Sequence, residues 1–263
     1  MTDRATAAAQ SPGSGLGRFG ASLVRVGLLV AALAAVAAIG SAFGSRLGLW
    51  SFRDGFAILT WGAYGGLAGA VLSLLALLWP RAAPGIGRLV PAAMGLVLGL
   101  AVFGYPAWLR HVGNVVPRMH DVTTDTQNPP AFVATLPLRT GAENAVAYEG
   151  AALAKLQHQG YPLVKPMILS ALPARVFAAA LTLVADRGWD LAAAVPAEGH
   201  IEATATSFWY RFKDDVVLRV APEGTGTRVD MRSLSRVGKS DFGVNARRVE
   251  NFLSALGERV AGN

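Results

Sequence analysis

The chain has 263 residues, of which 52% are hydrophobic and only 16% are charged. This composition favours a membrane protein over an ordinary soluble domain. The formal net charge is +7. The first 109 residues hold seven arginines and two aspartates, so most of the positive charge lies beside apolar segments. Because arginines in that position anchor helices at a membrane, we expect no nucleic-acid partner. The chain has no cysteine, which excludes disulfides and thiolate metal sites.

Residues 1–20 are rich in Ala, Ser and Gly without an apolar period, and we predict a disordered tail there. The segment 21–110 then holds three long apolar runs, at about 24–43, 56–79 and 89–109. Each run is close to the ~20 helical residues that cross ~30 Å of hydrocarbon, so we predict three transmembrane helices. No acidic or basic side chain lies in mid-span, which argues against a proton relay, an ion path or a transporter site.

Small residues recur four positions apart within the predicted spans, a spacing that lets helix backbones approach closely in lipid. The pairs are Gly62 with Gly66, Gly65 with Gly69, and Gly95 with Gly99. We predict that these glycines serve packing within one chain. A dimer face is the alternative, and the oligomeric state stays open.

The arginines around the spans set the predicted orientation, because cytoplasmic loops carry an excess of basic residues. A cytoplasmic amino terminus places five arginines inside and four outside; they are Arg4, Arg18, Arg25, Arg81 and Arg88 against Arg46, Arg53, Arg110 and Arg118. Three spans then bring the rest of the chain to the extracytoplasmic face of a bacterial inner membrane. Cleavage of the first span as a signal peptide is the alternative, and it leaves the soluble domain on the same face.

The polar half is predicted to begin with an extended connector over 111–138, since Asn128-Pro129-Pro130 excludes a regular helix. A soluble domain follows over 139–263. Apolar periodicity and turn residues predict three helices, at 145–158, from Pro173 to Gly188 and at 244–260. They predict strands at 163–169, 189–195, 200–212, 216–221 and 227–235. The short connections imply antiparallel neighbours, so we expect a two-layer α+β domain with helices on one face of a mainly antiparallel sheet.

Aromatic residues are dense in the second half of this domain. The five are Trp189, Phe208, Trp209, Tyr210 and Phe212. We expect them to build the hydrophobic core. A hydrophobic ligand pocket lined by them is the alternative.

Three segments of the polar half carry a family resemblance. They are Arg232-Ser233-Leu234-Ser235-Arg236-Val237-Gly238-Lys239-Ser240-Asp241-Phe242-Gly243-Val244-Asn245-Ala246-Arg247-Arg248, the upstream His120-Asp121-Val122-Thr123-Thr124-Asp125, and Asn128-Pro129-Pro130-Ala131-Phe132. Together they resemble the uncharacterised bacterial and plant family called domain of unknown function 1499, over about residues 120–260. The resemblance implies a small soluble domain found in envelope or organelle-membrane settings, with no established activity and therefore no catalytic roles to transfer.

The arginine-rich segment 232–248 supplies the first candidate site. A strand there turns through Gly238 into a helix that Ser240 or Asp241 is able to cap. Basic side chains that gather at this helix start could bind a lipid headgroup, a phosphate or an acidic partner. The competing interpretation is an internal network of ion pairs with Asp241. The candidate residues are Arg232, Arg236, Lys239, Asp241, Asn245, Arg247 and Arg248.

A second candidate cluster comprises His120, Asp121 and Asp125. Imidazole and carboxylate groups suit acid–base chemistry or metal binding, so a hydrolase is one alternative function. Aspartates in a connector also make local side-chain turns, and no second histidine at ligand spacing accompanies this one. We therefore predict no metal and no cofactor.

The sequence offers no convergent acid, base and nucleophile, which favours a non-enzymatic role. The leading hypothesis is a membrane-anchored accessory or binding module of the cell envelope that displays a small domain at the membrane surface. Its expected partners are the lipid bilayer and either an anionic lipid or another membrane protein.

Overall fold

The computed structural model of this chain describes residues 13–79 and 86–262. The chain divides into two units, Met1–Arg110 and His111–Asn263. The first unit is helical, and the second is built around an antiparallel sheet. The predicted architecture, a helical membrane region followed by an α+β domain, is therefore confirmed.

The apolar runs form three helices, α1 (Gly13–Arg46), α2 (Phe52–Leu78) and α3 (Ile86–Val115). All three are long and apolar enough to cross a membrane, and even the shortest, with 27 residues, extends about 40 Å. Helix α1 begins at Gly13, so part of the segment predicted as a tail is helical. The rest of that prediction, residues 1–12, lies outside the described residues.

The connection between α1 and α2 is held by short-range polar contacts. Ser51 caps α2, because its hydroxyl accepts the Asp54 N–H at 3.2 Å while the Asp54 carboxylate accepts the Ser51 N–H at 3.2 Å. Just before it, the Trp50 indole N–H donates to the Ser41 carbonyl at 2.9 Å. The indole ring lies directly against Gly44, where no side chain would fit. The cap and the indole contact together fix the path of this turn.

Glycines bring the three helices of one chain into backbone contact. A Cβ added at Gly69 would lie 2.7 Å from the Ala31 nitrogen of α1. On another face of α2, Gly66 meets Gly99 of α3 so closely that a Cβ on Gly99 would clash with the Gly66 carbonyl. Such contacts replace the hydrophobic driving force that helices lack in lipid.

The soluble unit contains a six-stranded sheet in the order β1-β6-β5-β4-β3, with β2 pairing with β6 beside β1. All pairs are antiparallel. The strands are β1 (Asp121–Thr123), β2 (Met167–Leu169), β3 (Asp190–Val195), β4 (His200–Thr206), β5 (Lys213–Glu223) and β6 (Gly226–Ser235). The helices are α4 (Ala151–Gly160), α5 (Pro173–Asp186) and α6 (Val244–Ala261), with short 3-10 turns at Leu136–Arg139 and Pro196–Glu198.

Several predicted elements differ in extent from the observed ones. Helix α4 begins at Ala151 rather than at residue 145, because Gly150 has a φ of 80° and the Val146 carbonyl is bonded to a side chain of β6. Strand β4 ends at Thr206, and residues 207–212 form a turn instead of continuing the strand. Strand β1 was not predicted, since three residues show no periodic pattern.

One face of the sheet packs against the helices. Val216, Leu218 and Met231 are fully buried there and join residues of α5 and α6 in one core. Trp189 stacks on Phe252 of α6 with ring centroids 5.4 Å apart, as expected for a core aromatic residue.

The aromatic prediction is wrong for Phe208 and Trp209, whose exposed fractions are 62% and 51%. They lie in the turn between β4 and β5, beyond the ends of both strands.

The opposite face of the sheet is covered by residues 124–149, which we call the strap. Phe132 and Val146 of the strap pack on Val217 and Leu234 of the sheet. The predicted connector 111–138 is therefore not a free tether along its length: helix α3 continues to Val115, β1 joins the sheet, and the strap forms a third, irregular layer.

Candidate functional site

Alternation along β6 decides which residues of the strand-to-helix corner face the strap. Val229 and Met231 point into the helix-side core, so Arg228, Asp230 and Arg232 lie on the strap side. The same alternation of charged and uncharged residues is visible in the sequence of 227–235. It places charged groups under a layer of irregular chain, where each needs a partner.

Arg232 forms a buried two-pronged ion pair with Asp121. Its Nε and Nη2 donate to the two carboxylate oxygens at 2.9 and 2.7 Å, and the side chains are 4% and 2% exposed. The same guanidinium donates to the Val146 carbonyl at 2.7 Å and lies 5.1 Å from the centroid of the Phe132 ring. Burial, together with the negative charge of Asp121, raises the pKa of the neighbouring Tyr148 to about 12. Arg232 therefore ties β1, β6 and the strap together.

Asp215 of β5 is fully buried between two arginines. Arg236 reaches it with Nη2 at 2.7 Å, Arg139 of the strap pairs with its other oxygen, and the Thr204 hydroxyl donates at 2.9 Å. Two guanidiniums against one carboxylate leave one positive charge in excess. Each guanidinium also donates to a strap carbonyl: Arg139 to the Asn144 oxygen at 2.9 Å and Arg236 to the Leu138 oxygen.

Glu202 of β4 holds the strap through its backbone. Its buried carboxylate accepts the N–H groups of Val133, Ala134 and Thr135 at 2.7, 2.9 and 2.8 Å. The Thr135 hydroxyl donates to the same carboxylate at 2.7 Å, and His200 Nε2 lies 2.7 Å from its other oxygen. Burial alone raises the pKa of Glu202, but the bonds from His200, Thr135 and the backbone outweigh it and hold the pKa below its usual value.

Asp230 of β6 is the fourth buried carboxylate on this face. Arg219 Nη2 and Arg228 Nε donate to it at 2.8 and 2.9 Å, and the Thr124 hydroxyl donates at 3.1 Å. Burial raises its pKa, but the bonds from Arg228 and Arg219 outweigh that effect and keep the pKa of Asp230 below its usual value. Its charge is therefore fully compensated by the protein.

The second predicted cluster is not brought together at one point. His120 Nε2 lies 3.7 Å from Glu149, whereas the next residue, Asp121, is paired with Arg232 on the strap face. Asp125 accepts two backbone N–H groups of the following turn at 3.1 and 2.9 Å. Within residues 13–79 and 86–262, no three His, Asp or Glu side chains are placed to hold a metal ion.

The start of α6 is capped by Asp241. Its carboxylate accepts the N–H groups of Gly243 and Asn245 at 2.8 and 2.7 Å. Burial raises the pKa of Asp241, although these two backbone bonds act in the opposite direction. The carboxylate thus occupies the place at the helix start that an external anion would take.

Arg248 and Asn245 are bound on the helix side of the corner. Arg248 donates to Asp214 at 2.6 Å and to the Ser233 hydroxyl at 2.9 Å. Asn245 accepts from the Ser233 hydroxyl at 2.6 Å and donates to Ser235 at 2.8 Å. These contacts join the start of β5, the end of β6 and the first turn of α6.

Of the seven residues of the first predicted site, only Lys239 and Arg247 are exposed. Arg247 donates to the Phe242 carbonyl at 3.0 Å, beside the capped helix start. The other five are partly or fully buried and belong to the internal contacts just described. The corner is therefore mainly a junction of strands, helix and strap.

Residues 121–256 match a family described as "Protein of unknown function (DUF1499)". This match covers more than half of the chain, from the start of β1 into α6. The chain belongs to the DUF1499 family. Its three apolar helices lie before the DUF1499 domain.

Among solved structures, the chain is similar to TTHA0849 from Thermus thermophilus, with 18% identity. The similarity covers 37% of this chain and 94% of that chain, with a TM-score of 0.25. No curated protein matches the chain.

Sequence reasoning missed four charged residues of the DUF1499 domain that hold the strap, namely Arg139, Glu202, Asp215 and Asp230. The signal that marks the strand residues is a polar side chain at every second position: Glu202 and Thr204 in β4 occupy the same face as Asp215 in β5. Arg139 gives no local signal, because its partner is 76 residues away in the chain.

Proposed function

We propose that this protein is a non-enzymatic accessory or binding module that holds a DUF1499 domain at a membrane surface. The observation that carries the proposal is the internal pairing of the buried carboxylates Asp121, Glu202, Asp215 and Asp230. A catalytic acid or base must exchange a proton with substrate, whereas these groups are bonded to arginines and backbone amides that fix the strap. Their pairing supports a structural role.

Three apolar helices support anchoring in a membrane. We propose the bacterial inner membrane, with the domain on the extracytoplasmic face, because the basic residues favour a cytoplasmic amino terminus. The bilayer is then one partner, and a second partner is another membrane protein or an anionic lipid.

Binding of an anionic lipid or phosphate at the corner 232–248 receives less support. Asp241 fills the helix start, and the exposed cations there are Lys239 and Arg247. A hydrolase based on His120, Asp121 and Asp125 receives less support as well, because the three side chains have separate partners.

Membrane anchoring and orientation are tested on the full chain in native membranes. We expect the chain to resist extraction by alkaline carbonate and to dissolve in detergent. Because the chain lacks cysteine, Glu223→Cys in the β5–β6 hairpin introduces a unique label site. We expect an impermeant maleimide to reach it in intact spheroplasts. Labelling only after permeabilisation contradicts the extracytoplasmic placement, and release by carbonate contradicts anchoring.

A complementation assay distinguishes a binding module from an enzyme. It uses a strain that lacks this protein and whose defect is rescued by the wild-type chain. We expect His120→Ala to rescue as well as the wild type at equal membrane levels. We expect rescue to be lost when a protease site in residues 116–118 allows the domain to be cut from its helices. Loss of rescue by His120→Ala, with the domain folded and present, contradicts a non-enzymatic role.

A further inference from the structure

Helix α2 carries a tyrosine hydroxyl near the middle of its length. Tyr64 lies within about 5 Å, along the axis, of the midpoint of α2 and of its apolar run 56–79. The side chain is 54% exposed, and its ring contacts the Trp61 ring edge to face at 6.2 Å. Among the residues that the structure describes, none is hydrogen-bonded to the Tyr64 hydroxyl.

A single hydroxyl at this depth of a bilayer finds no acceptor in the lipid. The hydrocarbon core is about 30 Å thick, so the headgroup carbonyls and water begin roughly 10 Å from Tyr64. That distance is more than a tyrosine side chain spans. An unsatisfied polar group in hydrocarbon is strongly unfavourable, and transmembrane helices satisfy such groups by hydrogen bonds across a helix–helix interface. The acceptor for Tyr64 is therefore expected from a protein segment at the same depth.

A groove lies between α1 and α2, beside Tyr64. It has a volume of about 470 Å³, and small residues such as Ala34 and Gly65 line it. A Cβ added at Gly65 would meet only the Ala34 Cβ, at 3.4 Å. Trp61 and Leu33 also line the groove, and they are 76% and 60% exposed. Bulky side chains thus stand next to a groove that the packing of α1 on α2 leaves open.

A second copy of this chain supplies what both features need. Two copies inserted in the same direction are related by a two-fold axis along the membrane normal, so their Tyr64 hydroxyls lie at the same depth. A hydroxyl both donates and accepts, and two of them can therefore bond to each other. A bulky Trp61 beside a groove is self-complementary as well, because each copy can place its indole in the groove of the other.

We propose that this protein forms a two-fold dimer within the membrane, in which the Tyr64 hydroxyls of the two copies bond to each other and Trp61 packs in the partner's groove. The inference goes beyond the proposed function and rests on its membrane anchoring. The contact surface, which we call the Tyr64 seam, is one exposed stripe of α2. Its residues alternate four and three positions apart, the spacing of left-handed helix pairs; they are Ala57, Trp61, Tyr64, Ala68, Val71 and Leu75.

Oxidative cross-linking of the full chain in native membranes tests the position of the seam. Because the chain has no cysteine, Ala68→Cys introduces a unique thiol one turn from Tyr64. The matched control is Val97→Cys in α3, which is 68% exposed and lies outside the seam. We expect Ala68→Cys to give a disulfide-linked product of twice the chain mass, and Val97→Cys to give several-fold less of it.

Energy transfer between labelled copies measures what the hydroxyl contributes. Full chains with a donor or an acceptor dye on a carboxyl-terminal tag are mixed in liposomes, and association is followed as the lipid-to-protein ratio is raised. Tyr64→Phe keeps the ring and removes only the hydroxyl. The matched control is Tyr105→Phe, which is 60% exposed and five residues before Arg110, near the end of the apolar run. We expect about three- to tenfold weaker association for Tyr64→Phe and no change for Tyr105→Phe.

Three results overturn the inference while leaving membrane anchoring intact. The first is a wild-type chain that stays monomeric at every lipid-to-protein ratio. The second is a dimer that Tyr64→Phe does not weaken and that Ala68→Cys cross-links no better than Val97→Cys, since the interface then lies elsewhere. The third is cross-linking of Ala68→Cys mainly to a different protein, which then occupies the seam. Failure of the chain to remain with the membrane contradicts the proposed function itself.

Discussion

Changing Asp121 to asparagine removes one charge from a buried ion pair of the domain. Arg232, only 4% exposed, then keeps its positive charge without a counter-ion. Arginine does not release its proton in proteins, so the domain must bear the charge or open to hydrate it. The contacts of Arg232 with Val146 and Phe132 make the strap the first part to loosen.

Breaking a buried pair by removing one partner destabilises a protein by about 3–5 kcal/mol. The amide oxygen of Asp121→Asn still accepts one bond from Arg232, so we expect the lower end, about 3 kcal/mol. For a domain of this size each kcal/mol lowers the melting temperature by about 2–4 °C. The expected loss is therefore roughly 6–12 °C.

Stepwise heating of the detergent-solubilised full chain, followed by brief proteolysis and detection of a carboxyl-terminal tag, follows unfolding of this domain alone. Arg259→Met is the matched control. It breaks the Arg259–Asp186 pair, which has a similar distance of 2.6 Å but side chains 32% and 51% exposed. We expect that control to cost at most about 1 kcal/mol.

Adding Arg232→Met to Asp121→Asn removes the positive charge of Arg232 that Asp121→Asn leaves without a counter-ion. The double variant should therefore lose less stability than the sum of the two single variants. Asp121→Asn melting within about 1 °C of the wild type, or strictly additive losses, would refute the conclusion that this pair clamps the strap.

Three further predictions concern other parts of the chain. Folding lowers the pKa of Glu202, so its ionised carboxylate stabilises the domain above the unfolded pKa of about 4.3, and this stabilisation is lost as the pH falls through the folded pKa. Glu202→Gln should therefore cost about 1–3 kcal/mol of stability at neutral pH and weaken the fall of the melting temperature at acid pH. An unchanged fall at acid pH contradicts this. Gly99→Leu should force α3 away from α2 and cost about 1–3 kcal/mol of stability, and we expect the monodisperse size-exclusion peak in detergent to be lost. The control Gly104→Leu, at a position where an added Cβ has no atom within 4 Å, should leave that peak unchanged. Equal behaviour of the two variants contradicts the packing of α2 on α3. Changing Lys239 and Arg247 together to Ala should leave the melting temperature nearly unchanged, and calorimetry should show no difference in phosphate binding between this variant and the wild type. Saturable phosphate binding by the wild type that is lost in the variant would favour the anion site.

Local patterns were sufficient for the elements that bury their own apolar faces. The long apolar runs predicted α1, α2 and α3, and alternation over 227–235 placed Met231 and Arg232 on opposite faces of β6. Both patterns arise from short-range periodicity, so they can be recognised without knowing which distant residues contact these segments.

The strap could not be predicted in the same way, because its order comes from distant residues. Thr135 is bonded to Glu202, 67 residues later, and Asp121 to Arg232, 111 residues later. The sequence predicts an extended connector over 111–138, which includes the first part of the strap, because this segment has no periodic apolar face. Composition also predicts exposed charges, whereas here four carboxylates are buried under irregular chain, each held by hydrogen bonds.

Hydrogen exchange of the full chain tests most directly whether the strap is a closed structural layer. The decisive amides are those of Val133, Ala134 and Thr135, which donate to the Glu202 carboxylate. We predict that they exchange as slowly as amides of β5 and β6, because they open only when the domain unfolds. Exchange as fast as in an exposed loop would mean that the sheet face lies open to ligands, and would contradict the conclusion that its charged residues serve the fold.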